Sequence, residues 1–390
     1  MRTYCMHSIS CFFLLAVLPG NSEAQRKRPA PYVVDVSIFE SSAHHWYDIF
    51  DKSNVINARK NQPRYKASDI IAIGNNILLY QKNNGGWPKN YDMLAILTSD
   101  QKDSLLKVKD ILNTTFDNST TYSQIDCLAH IYAAAKQVRY REAALKGIDY
   151  ILSAQYKNGG WPQYFPLEEN YSRHITFNDD AYIGIMNLLK DIKDNRPDFT
   201  FVAGERRKKV STSFEEGLQC ILKTQINDKG KPTAWCQQYD ESTLEPAWAR
   251  AFEPPSICNG ESADIVAMLM QIDHPSRQVI NAVNNAVSWF KDSRIGSTRV
   301  KTVPAPDTTF RFRHSRTDRV VVNDPSAPPL WTRYYELKTH RPLFCNRDGK
   351  VVYTFAEVDR ERRDGYGWYT YEPQKILDGY TAWQKKWVQK

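Results

Sequence analysis

The chain reads as a mostly α protein, an (α/α)3 toroid (an incomplete α/α barrel) with short strands and long loops in its C-terminal third. The first observation behind this is a phrase written three times. Ile77-Leu78, Gln81 and Gly85-Gly86-Trp87-Pro88 return as Ile151-Leu152, Gln155 and Gly159-Gly160-Trp161-Pro162, and again, degraded, as Ile221-Leu222, Gln225 and Trp235-Cys236-Gln237. The tryptophans keep one spacing (161 − 87 = 74 and 235 − 161 = 74), and so do the glutamines. A fixed period of this size marks a repeated supersecondary unit. The second observation is helical periodicity on both sides of each copy. The third is a change of character beyond residue 297.

Residues 66–82 place Ile70, Ile71, Ile73, Ile77, Leu78 and Leu79 at helical spacing, and residues 119–136 do so with Tyr122, Ile125, Leu128, Ile131, Tyr132 and Ala135. Residues 141–155, 178–194, 213–225, 261–272 and 276–292 also read as helices. The order is a helix ending at a Gly-Gly-Trp turn, a long loop, then a second helix. Three such αα units close into a ring with the loops at one mouth. The alternative, an open helical solenoid, has shorter repeats and shorter loops. Segments 298–303, 308–312, 319–322, 332–336 and 350–356 carry Val, Thr, Tyr and Phe between turn residues and read as short strands. Stretches 303–308 and 323–330 contain Pro and Asp and read as ordered loops over the cleft. A last helix is expected over 373–388.

The amino terminus reads as a secretory signal. Arg2, the apolar run 11–18 and the small-residue site Ser22-Glu23-Ala24 meet its pattern, and the run is too short to span a membrane. The expected division is 1–24 as signal and 25–390 as one catalytic domain, with αα repeats over about 60–295 and the loop-rich part over 296–390. An exported protein, periplasmic or secreted, is expected, with a monomer as the simplest state. The formal net charge is +8, and losing Arg2 and Glu23 leaves it unchanged. That excess suits an anionic partner such as an acidic polysaccharide, a membrane surface or nucleic acid. No run of five Lys/Arg follows the signal, which speaks against nucleic acid, and no membrane partner is expected. The five cysteines outside the signal (127, 220, 236, 258, 345) show no C-x-x-C spacing and no zinc signature. They read as buried small hydrophobes, with room for one disulfide.

Five clusters could carry chemistry. Gly85-Gly86-Trp87-Pro88-Lys89-Asn90 makes a turn that would present Trp87 and Lys89 outward, although Trp87 could equally be core. Phe116-Asp117-Asn118-Ser119-Thr120-Thr121 precedes a helix, where such residues cap. Tyr171-Ser172-Arg173-His174-Ile175-Thr176-Phe177-Asn178-Asp179-Asp180 also opens a helix, but two adjacent carboxylates exceed what a cap needs. Paired carboxylates repel unless a cation lies between them, and a hard cation with oxygen ligands, Ca²⁺ above all, would resolve this. Asp117 and Asp179, 62 apart, stand at nearly equivalent places in successive repeats. Trp248-Ala249-Arg250-Ala251-Phe252-Glu253-Pro254-Pro255-Ser256 sets an arginine among aromatics, where it could also be a salt-bridged structural residue. Leu330-Trp331-Thr332-Arg333-Tyr334-Tyr335-Glu336, with Arg316 and Arg319 upstream, offers planar bidentate donors for a carboxylate. No G-x-S-x-G elbow, cysteine–histidine context or Gly-rich phosphate loop is present.

Together these phrases resemble the polysaccharide lyase family 10 pectate lyases. The carriers are GGWPKN (85–90), DNSTT (117–121), NGGWPQ (158–163), HITFNDDA (174–181), TAWCQQYD (233–240), LEPAWARAFEPPSICNGES (244–262) and LWTRYYEL (330–337). The resemblance implies a toroid, Ca²⁺ dependence and β-elimination on polygalacturonate. It implies Arg250 as the base, Asp179 and, less directly, Asp117 as calcium ligands, Arg333 as a substrate-holding arginine and Lys89 as a cationic contact. Trp87, Arg173 and Arg316 complete the expected substrate-binding set. For Arg250 to act as a base its pKa must fall, which crowding by Ca²⁺, Lys89 and Arg333 would favour. Two other readings stay open: a metal-independent glycoside hydrolase using paired carboxylates, and a non-catalytic pectin-binding protein.

Overall fold

The structure is a computed structural model that describes residues 32–48, 54–311 and 313–388. The signal assigned to 1–24 lies outside these residues. Among the described residues the helices are α1 (Glu40–Asp48), α2 (Ile70–Tyr80), α3 (Ser99–Lys107), α4 (Tyr122–Ala135), α5 (Val138–Ala154), α6 (Ala181–Lys193), α7 (Gly204–Thr224), α8 (Asn259–Met270), α9 (Arg277–Asp292), α10 (Arg360–Gly365) and α11 (Glu372–Trp387). Of these, α1, α3 and α10 fall where the sequence showed no helical period. They are short and half exposed, so their apolar stripes are too brief to read. Among the described residues no helix is long and apolar enough to cross a membrane.

Helix α9 shows how pattern becomes packing. Val279, Ala282, Val283, Ala286, Val287 and Phe290 are buried, a stripe at 3.6-residue spacing, and the Ser276 hydroxyl caps the start by accepting from Val279 N. Helices α4, α6 and α8 pack in sequence as an inner row, while α5, α7 and α9 form the outer row. Helix α2 lies against α4 and α5, and α11 closes the far side against α8 and α9. This is the α/α toroid.

The periodic residues are the joints of that ring. The Trp87 indole N–H donates to Ile77 O at 2.8 Å, Trp161 to Ile151 O at 3.0 Å and Trp235 to Ile221 O at 2.8 Å. Each acceptor is among the last four carbonyls of its helix, which have no partner inside the helix. Each periodic glutamine stitches its own turn to the next outer helix. Gln81 donates to Gly85 O and Ala143 O, Gln155 to Gly159 O and Ser213 O, and Gln225 to Thr233 O and Ala282 O. The turn recurs a fourth time, unseen in the sequence: Trp331 donates to Phe290 O at 2.8 Å, near the end of α9. The period fails there because an antiparallel hairpin, Thr298–Thr309 with His314–Asn323, is inserted between helix and turn. Its first strand runs through 303–308, read above as loop, with a register break between Pro304 and Thr308. Pro304 and Pro306 lack N–H groups, and a bulged two-stranded ribbon tolerates them. Strand order 351–352, 342–345, 334–335, 257–258 ties the last third to the start of α8. All five cysteines are buried and unpaired.

The turn glycines are demanded by geometry. Gly159 has φ +93°, and a Cβ there would lie 2.0 Å from Glu216 O of the backbone. Gly230 has a similar φ of +85°, but nothing stands within 4 Å of a Cβ. We predict that Gly159→Ala costs upwards of ~3 kcal/mol in urea unfolding and Gly230→Ala only about 1 kcal/mol. Equal losses would show that the close approach, unlike the dihedral, carries no weight.

Candidate active site

The four turns set a common frame for the mouth of the ring. The residue two places after each tryptophan is Lys89, Gln163, Gln237 or Arg333. The backbone of each turn then pairs with the chain entering an inner helix. Thr115, Thr176 and Cys258 donate N–H to the carbonyls of Trp87, Trp161 and Trp235, and Phe116, Phe177 and Asn259 donate to those of Gln163, Gln237 and Arg333. These bonds fix the register of the entering segments. Asp179 matches Asn118, and Asp180 matches Ser119: φ is 52° at Asp179 and Asn118, 59° at Asp180 and 58° at Ser119. Asp117 matches Asn178. The equivalence expected between Asp117 and Asp179 is therefore off by one residue, although the two carboxylates do meet at one site.

Left-handed backbone at consecutive non-glycine residues is costly and persists where the surroundings enforce it. Here it throws carboxylates to the mouth in front of the α6 N-terminus. Asp117 is buried, its Oδ2 paired with the Lys89 ammonium, and its Oδ1 has no hydrogen-bond partner. Lys89 also lies 5.4 Å from the Tyr164 ring centroid. Burial acts to lower the Lys89 pKa, but Asp117 and Tyr164 outweigh it and the net shift is upward. Asp179 is reached by solvent from the cleft while protein surrounds its other sides. Its pKa is raised to about 7 by that enclosure and by Asp117, against the lowering influence of Arg333 and Arg250. A cavity of about 290 Å³ beside it is lined by Asp179, Asp180, Glu261, Asp264, Arg333 and Glu372 among others. Burial and then Glu261 raise the Asp180 pKa.

Arg333 is held rigidly. One guanidinium nitrogen donates to Asn178 Oδ1 and Glu261 Oε1, each at 2.7 Å, and the group stacks 5.0 Å from the Tyr366 ring centroid. Arg250 is half exposed and forks onto buried Glu253, with Nε–Oε2 at 2.8 Å and Nη2–Oε1 at 2.5 Å. Glu253 also accepts from the Tyr366 hydroxyl at 3.1 Å, and Tyr366 meets Tyr334 at 2.8 Å. Burial acts to lower the Arg250 pKa, but Glu253 reverses this and the net shift is upward. The sequence reading expected a net lowering. It gave no weight to Glu253, three residues on in the same phrase, so the salt-bridged alternative describes Arg250 as it stands here.

Lys89, Asp117, Asp179, Arg250 and Arg333 are thus brought to one cleft. Arg173 stands on its rim, paired with Glu169 at 2.8 Å and Glu241 at 2.7 Å. Two expected residues are not part of the cleft. Trp87 is completely buried, its indole spent on the Ile77 carbonyl, so it is a joint of the ring with no face for a sugar. Arg316 stands on the hairpin, largely exposed and paired with Asp307 at 2.9 Å, and among the described residues it shares no ion pair with the cleft. Sequence reasoning gave no role to Glu253, Glu261 or Tyr366, whereas Asn178 stood out with the two carboxylates that follow it as more than a cap needs.

The oxygen donors fit a hard cation. The orphaned Asp117 Oδ1 belongs to the same site as the Asp179 carboxylate, and Asp117 disfavours ionisation of Asp179 unless positive charge intervenes. A second group of donor atoms, from His174, Asp240 and Glu241 within 4.8 Å of one another, is less suited. Glu241 already pairs with Arg173 and His174, and Asp240 accepts from the Ser242 and Thr243 amides.

A helical toroid that gathers carboxylates and guanidinium groups at one mouth is the apparatus of an enzyme acting on an anionic polymer. The sequence matches the pectic acid lyase family over residues 81–377, and the chain belongs to that family; it is a pectate lyase. Among solved structures, a family 10 polysaccharide lyase from Cellvibrio cellulosa matches with a TM-score of 0.66 and 28% identity, covering 80% of this chain and 91% of that one. A single-residue mutant of the Cellvibrio cellulosa family 10 lyase, in complex with trigalacturonic acid, matches at the same TM-score and identity, covering 80% of this chain and 92% of that one. No curated protein matches in sequence.

The raised pKa of Asp179 has a consequence for stability. The folded state holds a proton that the unfolded chain releases near its ordinary value of 3.8, so stability is lost as pH rises from there through about 7. In metal-free buffer at pH 8, Asp179→Asn should melt above the wild type, and the gap should close towards pH 4. A gap independent of pH would assign the stabilisation to something other than the charge.

Proposed function

We propose that the protein cleaves α-1,4-polygalacturonate by β-elimination, leaving an unsaturated uronide at the new end, and that it requires Ca²⁺. The observation that carries the reading is the convergence of Asp117, Asp179, Arg250 and Arg333 on one cleft of a pectic acid lyase fold. The complex of the related Cellvibrio enzyme with trigalacturonic acid supports the substrate class.

Asp117 and Asp179 would hold the cation. The chemistry supplied by a bound cation there would be Lewis-acid stabilisation of the negative charge that develops on the uronate. Arg333, immobilised by Asn178 and Glu261, orients a uronate carboxylate through its remaining donors. Lys89 positions Asp117 and adds positive charge. Arg250 takes the proton from the carbon α to the carboxylate at a guanidinium nitrogen. The electron pair released forms the double bond as the neighbouring C–O bond breaks. Arg250 must be neutral to do this, and Glu253 opposes that, so the rate should climb well into the alkaline range.

A single assay tests the reaction type. With polygalacturonate and Ca²⁺, we expect growing ultraviolet absorbance that a chelator abolishes and that Arg250→Ala lowers by about 10²–10⁴-fold. Reducing ends without absorbance would establish hydrolysis, and a rate that plateaus below neutral pH would remove Arg250 as the base.

A further inference from the structure

Trp248 behaves unlike the other tryptophans of the chain. Eight of the ten are buried, and Trp387 is intermediate, whereas Trp248 is 46% exposed. Trp46, Trp87, Trp161, Trp235, Trp289, Trp331 and Trp368 all spend their indole N–H on acceptors within the protein. Among the described residues, Trp248 has neither a hydrogen bond nor a ring partner. A single exposed apolar residue usually needs no explanation. Here three facts ask for one.

The first is rigidity. The backbone on either side of Trp248 is pinned, with Ala247 N donating to Gln238 O at 3.0 Å and Ala249 N to Glu253 O at 3.1 Å. Pro246 bridges Tyr239 just before it. The point from which the ring projects is therefore fixed by the fold. The second is position. Trp248 lies two residues before Arg250, in the segment between the Arg250–Glu253 fork and Glu241, which anchors Arg173 and His174 of the rim. The third is chemistry. A pyranose ring presents C–H bonds on one face, and a flat aromatic surface covers them while carboxylates and hydroxyls at the ring edge meet charged donors.

We infer that Trp248 is the stacking platform for a galacturonate ring beside the bond that is cleaved. Because the backbone that carries the ring is already pinned, no loop has to be ordered when a sugar covers it. The inference rests on the polygalacturonate reading above.

The test uses the mature protein and two variants, Trp248→Ala and Trp248→Phe, with circular dichroism to confirm folding. Kinetics on polygalacturonate are read by ultraviolet absorbance. Indole fluorescence is followed during titration with trigalacturonate in the Arg250→Ala background. Trp248→Ala should raise KM about five- to tenfold with kcat changed less than about twofold, and should abolish the ligand-dependent fluorescence change. Trp248→Phe should lose the signal but recover most of the affinity. Wild-type KM in Trp248→Ala, with the fluorescence change intact, overturns the platform while leaving the lyase reading standing. A parent protein that binds trigalacturonate but does not cleave polygalacturonate overturns the lyase reading, while the fluorescence still decides Trp248. If it does neither, both fall.

Discussion

The interaction on which the rest depends is the bond from a turn tryptophan to the end of the helix before it. A helix finishes with four carbonyls that lack partners, and burying them unpaired is expensive. Trp87, Trp161, Trp235 and Trp331 each serve one such carbonyl with a buried indole N–H. The indole also fills the space between rows of helices, so one residue both ends a helix and packs the ring. Its large buried surface makes each joint worth several kcal/mol, on the scale of ~3–5 kcal/mol for deleting a buried aromatic.

Because the joint fixes the chain direction after each tryptophan, it also sets the site. Two residues on, Lys89 and Arg333 stand at equivalent places on the first and fourth turns, and Gln163 and Gln237 on the second and third. Their carbonyls, or those of the tryptophans, hold the segments that enter α4, α6 and α8. Asp179 and Asp180 are then forced into left-handed backbone before α6, as Asn118 and Ser119 are before α4. The structural repeat thus carries functional variation: the same scaffold position is a cation where charge is needed and an amide where it is not.

How much of this the sequence disclosed follows from range. The Gly-Gly-Trp turns, the periodic glutamines and the amphipathic stripe of α9 are local patterns, and the structure uses them as joints and packing faces. The fourth turn escaped because the hairpin separates Phe290 from Trp331, which destroys the period without altering the bond. Asp117 and Asp179 were legible as acids before helices, but their one-residue offset was fixed by backbone pairing between different turns. Trp87 was misread for the same reason. A tryptophan beside glycines can face out or in, and only the partner carbonyl on α2 decides. Glu253 was in plain view, and its effect on Arg250 depended on a fork geometry that residue type does not specify.

The charges of the cleft explain how such a site can be both stable and receptive. Each cation has a carboxylate of the protein as partner: Lys89 with Asp117, Arg333 with Glu261, Arg250 with Glu253. Removing any one acid would leave a buried or half-buried cation uncompensated, and removing any one base would do the same to a carboxylate. The network is also unbalanced, since among the described residues Asp179 and Asp180 form no ion pair and Asp179 is driven towards its neutral form. A uronate arriving with a divalent cation brings charge of both signs. It can satisfy Asp179 through the metal and Arg333 through its own carboxylate without breaking the pairs already made. A neutral sugar offers neither, and a uronate without the metal brings a further negative charge to a mouth already rich in carboxylates. On the reading proposed above, selectivity for an acidic polymer and dependence on a cation to admit it would both come from the same surplus of carboxylate at the mouth of the ring.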